Sequence, residues 1–260
     1  MSIIKVNGLN IGYDERGRMI DNSPLVFLHG VGSDKSVWRE QLQHFGETRR
    51  TIAFDYAGYG DSDLPESDLS RGDVAKSILE AMDALSIQTA HFCGLSMGGV
   101  IALEIYKQQQ NRVASLILAD TFAKHPTGED IVKRSLDFIK TNSMRDFATQ
   151  RIAALMVSDD ANVRAEVIET MSKIDKKSYA WATKAVWQAD NFEMLPQINA
   201  PTLVICGDSD APTPVALSEE LASNIKRAKL VIIERAGHLS NLDNPAAFNK
   251  SIENFMVRIE

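Results

Sequence analysis

Apolar and polar positions alternate in two short segments at the start of the chain, Ile3–Val6 and Leu9–Glu15. Asn7-Gly8 lies between them, so the pair predicts a β-hairpin. Four later runs, Leu25–Leu28, Thr51–Phe54, Thr89–Leu95 and Val113–Ala119, are apolar almost without interruption. Such runs suit strands covered on both faces, as in a parallel sheet. The segments between them have a helical period. Ser36–Phe45 and Met97–Lys107 can be helices, and Leu69–Leu85 carries Val74, Ile78, Leu79, Met82 and Leu85 on one helix face. From about Ala123 to Leu195 only helical patterns occur. The alternation then resumes with strand Thr202–Cys206, helix Pro214–Ser223, strand Lys229–Glu234 and helix Pro245–Val257. This order predicts an α/β fold with a mostly parallel central sheet and helices on both faces. The core is expected at 1–122 and 196–260, with a helical cap at 123–195.

Composition narrows the function classes. The 260 residues are 44% hydrophobic and 24% charged, an ordinary globular balance. The net charge of −7 disfavours whole-chain attraction to nucleic acid or anionic lipid, because polyphosphate binding needs a basic footprint. Two cysteines, Cys93 and Cys206, make no disulfide framework and suit a reducing compartment. There is no apolar stretch of membrane-spanning length and no basic-then-apolar leader pattern at the start, so a cytoplasmic protein is expected.

Chemistry concentrates at Gly94-Leu95-Ser96-Met97-Gly98-Gly99. This G-x-S-x-G string falls between a predicted strand and a predicted helix. A sharp turn there strains the serine backbone and exposes its hydroxyl, while the following helix N-terminus favours a developing negative charge. A serine nucleophile needs a base. Of His29, His44, His91, His125 and His238, only His238 follows the last apolar strand, at the carboxyl edge of the sheet where catalytic loops gather. Asp120, Asp208 and Asp210 are the candidate acids.

His29-Gly30, Asp55-x-x-Gly58-x-Gly60, the Gly-Leu-Ser-Met-Gly-Gly turn, Gly207-x-x-Asp210 and Gly237-His238 together resemble the α/β-hydrolase fold superfamily. Within it, the chain resembles capped serine hydrolases of the 3-oxoadipate enol-lactonase and small carboxylesterase branch. The resemblance implies Ser96 as nucleophile, His238 as base and Asp210 as acid. Some relatives place the acid at the position of Asp120, and Asp208 can serve as a loop cap. The resemblance also implies an oxyanion hole made by the backbone N–H groups of Val31 and Met97. The substrate pocket is expected to involve His29, Trp38, Leu95, His125, Trp181, Trp187 and Leu239. Arg134, Arg145, Arg151 and Arg164 are available should the substrate carry a carboxylate.

The expected activity is hydrolysis of a small, largely apolar carboxylic ester or lactone through an acyl-enzyme, with no cofactor and no metal. Other chemistry on the same residues would be carbon–carbon bond hydrolysis, cyanohydrin cleavage, thioester hydrolysis or perhydrolysis. A ligand-binding receptor with a slow hydrolase site belongs to a different class. The expected partner is the small-molecule substrate, without nucleic acid or membrane, and the chain is expected as a monomer or homodimer. Cys93 and Cys206 fall on strands that Val113–Ala119 should separate, about 10 Å apart at ordinary strand spacing, so two buried free thiols are expected.

Overall fold

The structure, a computed structural model, describes residues 2–18 and 23–259. Ser2–Val6 (β1) and Leu9–Arg16 (β2) form an antiparallel hairpin, with Asn7 and Gly8 supplying the positive φ angles of the turn. The continuous apolar runs become Leu25–Leu28 (β3), Thr51–Phe54 (β4), Ala90–Leu95 (β5) and Val113–Ala119 (β6). Thr202–Gly207 (β7) and Lys229–Ile233 (β8) complete one sheet in the order β1-β2-β4-β3-β5-β6-β7-β8. From β4 to β8 every pairing is parallel; β2 meets β4 antiparallel. Every position of β3, β4, β5 and β7 is buried, which explains their lack of polar alternation.

Helices cover both faces. Arg39–Phe45 (α1) follows a 3-10 turn at Lys35–Trp38, where Asp34 accepts a hydrogen bond from the Ser36 N–H. Arg71–Ala84 (α2) starts at a Ser70/Asp73 capping box. Met97–Gln109 (α3) is buried from Met97 to Tyr106. Between β6 and β7 come Gly128–Thr141 (α4), Met144–Leu155 (α5), Ala161–Ser172 (α6) and Lys176–Trp187 (α7). Side-chain caps at Ser143, Asp160 and Asp175 set where the last three begin. Val215–Asn224 (α8), the short Ser240–Asp243 (α9) and Pro245–Ile259 (α10) finish the chain. Among the described residues no helix is long and apolar enough to cross a membrane.

The strand order reverses at β3. The chain passes from β3 to β4 on one side and then returns to β5 on the other. Loops leaving the carboxyl ends of β3 and β5 therefore diverge and open a crevice, the usual ligand position in such sheets. Leu28 pairs with Gly94, so His29-Gly30 and Ser96 leave the sheet side by side. Cys93 on β5 and Cys206 on β7 are buried and free, with β6 between them. Burial pushes the Cys206 thiol up to about 12 and raises that of Cys93 well above its ordinary value.

Candidate active site

Ser96 occupies the turn from β5 to α3 at φ 55° and ψ −115°. A non-glycine residue rarely takes a positive φ, and neighbouring contacts must hold it there. The Ser96 N–H donates to Ala119 O at 2.9 Å, and Thr121 Oγ1 donates to Ser96 O at 2.7 Å. The turn is closed too tightly for side chains on either flank. A Cβ on Gly94 would lie 2.2 Å from Gly98 O, and one on Gly98 would lie 2.0 Å from Leu28 O. The first N–H groups of α3, at Met97 and Gly98, have no carbonyl one turn earlier to bond and lie beside the serine.

His238 leaves the sheet after β8, and its Nδ1 lies 3.0 Å from both oxygens of Asp210. The hydroxyl of Thr213 is 3.2 Å from the same nitrogen and donates to Asp210 Oδ2 at 2.6 Å. The Thr213 N–H adds a bond to Asp210 Oδ1 at 2.8 Å. The carboxylate is thus held at both oxygens. Its position favours the tautomer with Nδ1–H toward Asp210, with Nε2 at the opposite edge of the ring. Ser96 and His238 line one cavity; among the described residues no hydrogen bond joins their side chains.

Of the other candidate acids, Asp208 turns away and caps the loop through the N–H groups of Arg235 and Ala236. Asp120 is buried at the end of β6, accepts from the Gly207 N–H at 2.8 Å and pairs with Ser240 Oγ. Burial, then the nearby Asp210 charge, raises its carboxyl well above the usual range. Ligand atoms of Asp120, Cys206 and Asp210 lie within 4.8 Å of one another. A cation is a poor fit there, because burial favours the protonated thiol and acid and Asp210 is already engaged by Thr213 and His238.

The loop after β3 supplies the facing wall. His29 Nδ1 donates to Gly30 O at 2.8 Å, while its Nε2 faces the Tyr56 N–H at 3.4 Å. A trans peptide directs its C=O and N–H to opposite sides. Holding Gly30 O against His29 therefore turns the Val31 N–H the other way. Tyr56 and Tyr59 brace the loop by donating to His29 O and Val31 O, both at 3.2 Å. Beyond it Lys35 is buried, with its ammonium paired to Asp55 at 2.6 Å and to Asp61. Burial pushes Asp55 up to about 6 against the pull of its donors; burial also opposes the Lys35 charge, but the two carboxylates together outweigh it and raise Lys35 above its ordinary value.

The serine cavity measures about 30 Å³ and is lined by Val31, Leu95, Ser96, Trp187, His238 and Leu239, among others. Arg151 and Trp187 also line a larger chamber of about 860 Å³. Four expected pocket residues, His29, Trp38, Trp181 and His125, do not line the serine cavity itself. His29 is fully buried behind the loop, against the rings of Tyr56 and Tyr59. Trp38 is fully buried between Phe27 and Phe248, because the 3-10 turn rotates it into the core. Trp181 packs near Tyr59 on the far side of α7. His125 lines the outer chamber and lies 3.2 Å from Pro212 O.

The pattern of the Alpha/beta hydrolase family matches residues 25–251. The chain belongs to that family. Among relatives of this alpha/beta hydrolase, 3-oxoadipate enol-lactonase 1 of Acinetobacter baylyi is 30% identical over 245 residues, covering 92% of this chain and 91% of that protein. The crystal structure of the enol-lactonase from Burkholderia xenovorans superposes with a TM-score of 0.92 at 29% identity, covering 98% of this chain and 100% of that one. A solved N-acyl homoserine lactone degrading enzyme gives a TM-score of 0.87 at 27% identity, over 98% of this chain and 100% of that one.

Several residues at the site of this alpha/beta hydrolase escape sequence reasoning. Thr213 sits three positions after Asp210, and its only signal is a hydroxyl beside an acid. Tyr56 and Tyr59 fall inside the Asp55-x-x-Gly58-x-Gly60 string, where an acid after a fully apolar strand marks a loop needing internal partners. Arg151, which the sequence already offers as a carboxylate partner, reaches the serine cavity from α5, and Val167, Met171 and Tyr179 reach it from α6 and α7. Helical periodicity does not say which apolar face meets a site and which meets a neighbouring helix.

Proposed function

We propose that the protein is a cofactor-independent serine hydrolase that cleaves a small, largely apolar carboxylic ester or lactone through an acyl-enzyme. The observation that carries this reading is the strained Ser96 opposite an imidazole whose Nδ1 is locked by Asp210. His238 Nε2 takes the Ser96 proton as Oγ attacks the carbonyl carbon. The oxyanion is received by the N–H groups of Val31 and Met97. Collapse expels the alcohol with the proton from His238. Water then gives a proton to His238, attacks the acyl carbon and releases Ser96.

A cavity of about 30 Å³ holds a water or two, not an ester. Substrate therefore enters by displacing part of the wall, and the Arg151–Trp187 partition toward the larger chamber is the cap region on that route. The guanidinium of Arg151 lies 5.5 Å from the Phe147 ring centre and makes no ion pair among the described residues. Arg134 lines the same chamber, and among the described residues no acidic one does. This supports a substrate whose acyl part carries a carboxylate on an otherwise apolar frame. Ser96→Ala should abolish turnover of p-nitrophenyl butyrate and of a lactone panel, and abolish labelling by a fluorophosphonate, with unchanged thermal unfolding. Retained turnover would overturn the assignment.

A further inference from the structure

The serine cavity has a second neighbour. Gly32, Ser33 and Val167 line it and also line a separate chamber of about 230 Å³. This chamber lies between α1 with its preceding 3-10 turn and α6. It is more polar than the outer chamber, whose mostly apolar wall includes Ile131, Phe138, Phe147 and Leu217 beside Arg134 and Arg151. Here Ser36, Gln43, Glu166 and Thr170 share the wall with Val37 and Val163. Arg39 and Glu166 face each other at 3.4 Å across its rim. Gly32, Ser33 and Val167 form the partition toward Ser96. A Cβ on Gly32 would lie 2.3 Å from Met171 Cε, so the glycine lets an unbranched, flexible side chain fill the gap.

An ester projects an acyl and an alcohol group to opposite sides of the carbonyl that Ser96 attacks. The site offers two unlike chambers on two sides of one serine. We propose that the 230 Å³ chamber is the alcohol subsite, taking a short hydroxylated alcohol, while the apolar chamber takes the acyl group. This deepens the hydrolase reading above and rests on it. In acylation the Ser96 Oγ–carbon bond forms and the carbon–alkoxy bond breaks, the alcohol leaving with the proton from His238. In deacylation the water oxygen takes the place the alcohol oxygen left beside Nε2. It surrenders one proton to His238, and that proton returns to Ser96. The same polar chamber thus releases alcohol and admits water, hydroxyl for hydroxyl.

The test holds the acyl group constant. With butyrate esters, wild-type kcat/KM should be higher for the glyceryl than for the propyl ester, which differ by two hydroxyls. Thr170→Trp, which fills the chamber from α6, should lower kcat/KM for glyceryl butyrate at least tenfold and methyl butyrate much less. The ratio of methyl octanoate to methyl acetate should stay within twofold. Gln43→Trp, from the opposite wall, should repeat this, so a folding defect in one variant does not decide the result. Ala154→Trp, in the outer chamber, should do the reverse and alter only the acyl-length ratio. A wild type that prefers the propyl ester, or tryptophans at 170 and 43 that leave the alcohol dependence unchanged or alter acyl length instead, would overturn the assignment. Absence of any Ser96-dependent turnover in the wild type would remove the hydrolase reading itself, and this subsite with it.

Discussion

His29 Nδ1 donates to the carbonyl of Gly30, the residue next to it, at 2.8 Å. That bond orients one peptide plane, and the opposite edge of the plane carries the Val31 N–H. With the Val31 N–H proposed as an oxyanion donor, His29 is proposed as a positioning residue behind the site. Asparagine can place its Nδ2–H where the imidazole Nδ1–H stands, whereas leucine fills similar space without a donor. His29→Asn should keep kcat within about tenfold of wild type. His29→Leu should lose about a hundredfold in kcat with KM nearly unchanged, the cost of misplacing one oxyanion donor. Inhibition by butylboronic acid, a tetrahedral mimic, should weaken in proportion to kcat. Equal losses in both variants, or an unchanged boronate affinity, would show that the bond only supports packing.

The same histidine gives a pH signature. Burial depresses its pKa to about 4 from the ordinary 6.5, with the Gly30 carbonyl pulling the other way. The folded state then refuses a proton that the unfolded chain accepts. His29 stabilises the fold fully above pH 6.5, and this contribution is lost as pH falls toward 4 and is level below that. The stability difference between wild type and His29→Asn should therefore shrink by roughly 3 kcal/mol between pH 6.5 and 4, from about 1.4 kcal/mol per pK unit. Asp55, raised to about 6, contributes with the opposite sign, losing stability as pH rises from 3.8 to 6. It is present in both proteins and cancels. Urea unfolding at half-unit pH steps measures the difference, and a difference that does not change with pH would contradict a neutral buried His29.

Two buried acids near His238 should respond differently to the same change. Asp210 holds the imidazole through both oxygens, so Asp210→Asn should lower kcat by about four orders of magnitude by disturbing its tautomer. Asp120 meets Gly207 N–H and Ser240 Oγ, and burial favours its protonated form. An amide keeps the acceptor that Gly207 N–H needs, and the Ser240 hydroxyl, which donates to Asp120 Oδ2, can turn to accept from the amide N–H. Asp120→Asn should stay within about tenfold in kcat, while Asp120→Ala should cost about 2–4 kcal/mol of stability from two unpaired buried groups. Steady-state kinetics on p-nitrophenyl butyrate with denaturant unfolding separates the two acids. A large kcat loss in Asp120→Asn would make Asp120 the orienting acid.

What the sequence makes legible follows what each residue packs against. β3, β4 and β6 match their predicted bounds because strands buried on both faces read as unbroken apolar runs. α9, four residues long, is too short to show a period. Ser96, Asp210 and His238 can be found because each follows an apolar strand on the crevice side of the sheet. Trp38 follows the β3 loop closely in sequence, yet the turn at Lys35–Trp38 points it inward against Phe27. Trp181 and Trp187 lie on one helix six residues apart, and only Trp187 reaches the serine cavity. An aromatic residue in an inserted helix satisfies its burial equally well against core or cavity. Composition does not separate those outcomes, and the neighbouring helices that decide them are distant in sequence.

Arg151 should set the preference for charge. It lines both the serine cavity and the outer chamber, so a substrate passing between them meets its guanidinium. Among the described residues no carboxylate neutralises it, and its contact is the Phe147 ring. A substrate carboxylate would gain a charge-assisted hydrogen bond, worth about 1.5–3 kcal/mol in a partly buried setting. Arg151→Met keeps the length of the side chain and much of its apolar stem but removes the charge. Relative to wild type, it should lower kcat/KM for the p-nitrophenyl monoester of adipic acid by about ten- to a hundredfold. p-Nitrophenyl hexanoate, with a six-carbon acyl group but no charge, should be unaffected or improved as the partition loosens. Raising ionic strength should shrink the wild-type preference for the charged ester and leave that of Arg151→Met unchanged. If both esters fell equally in Arg151→Met, the arginine would be shaping the partition without reading charge.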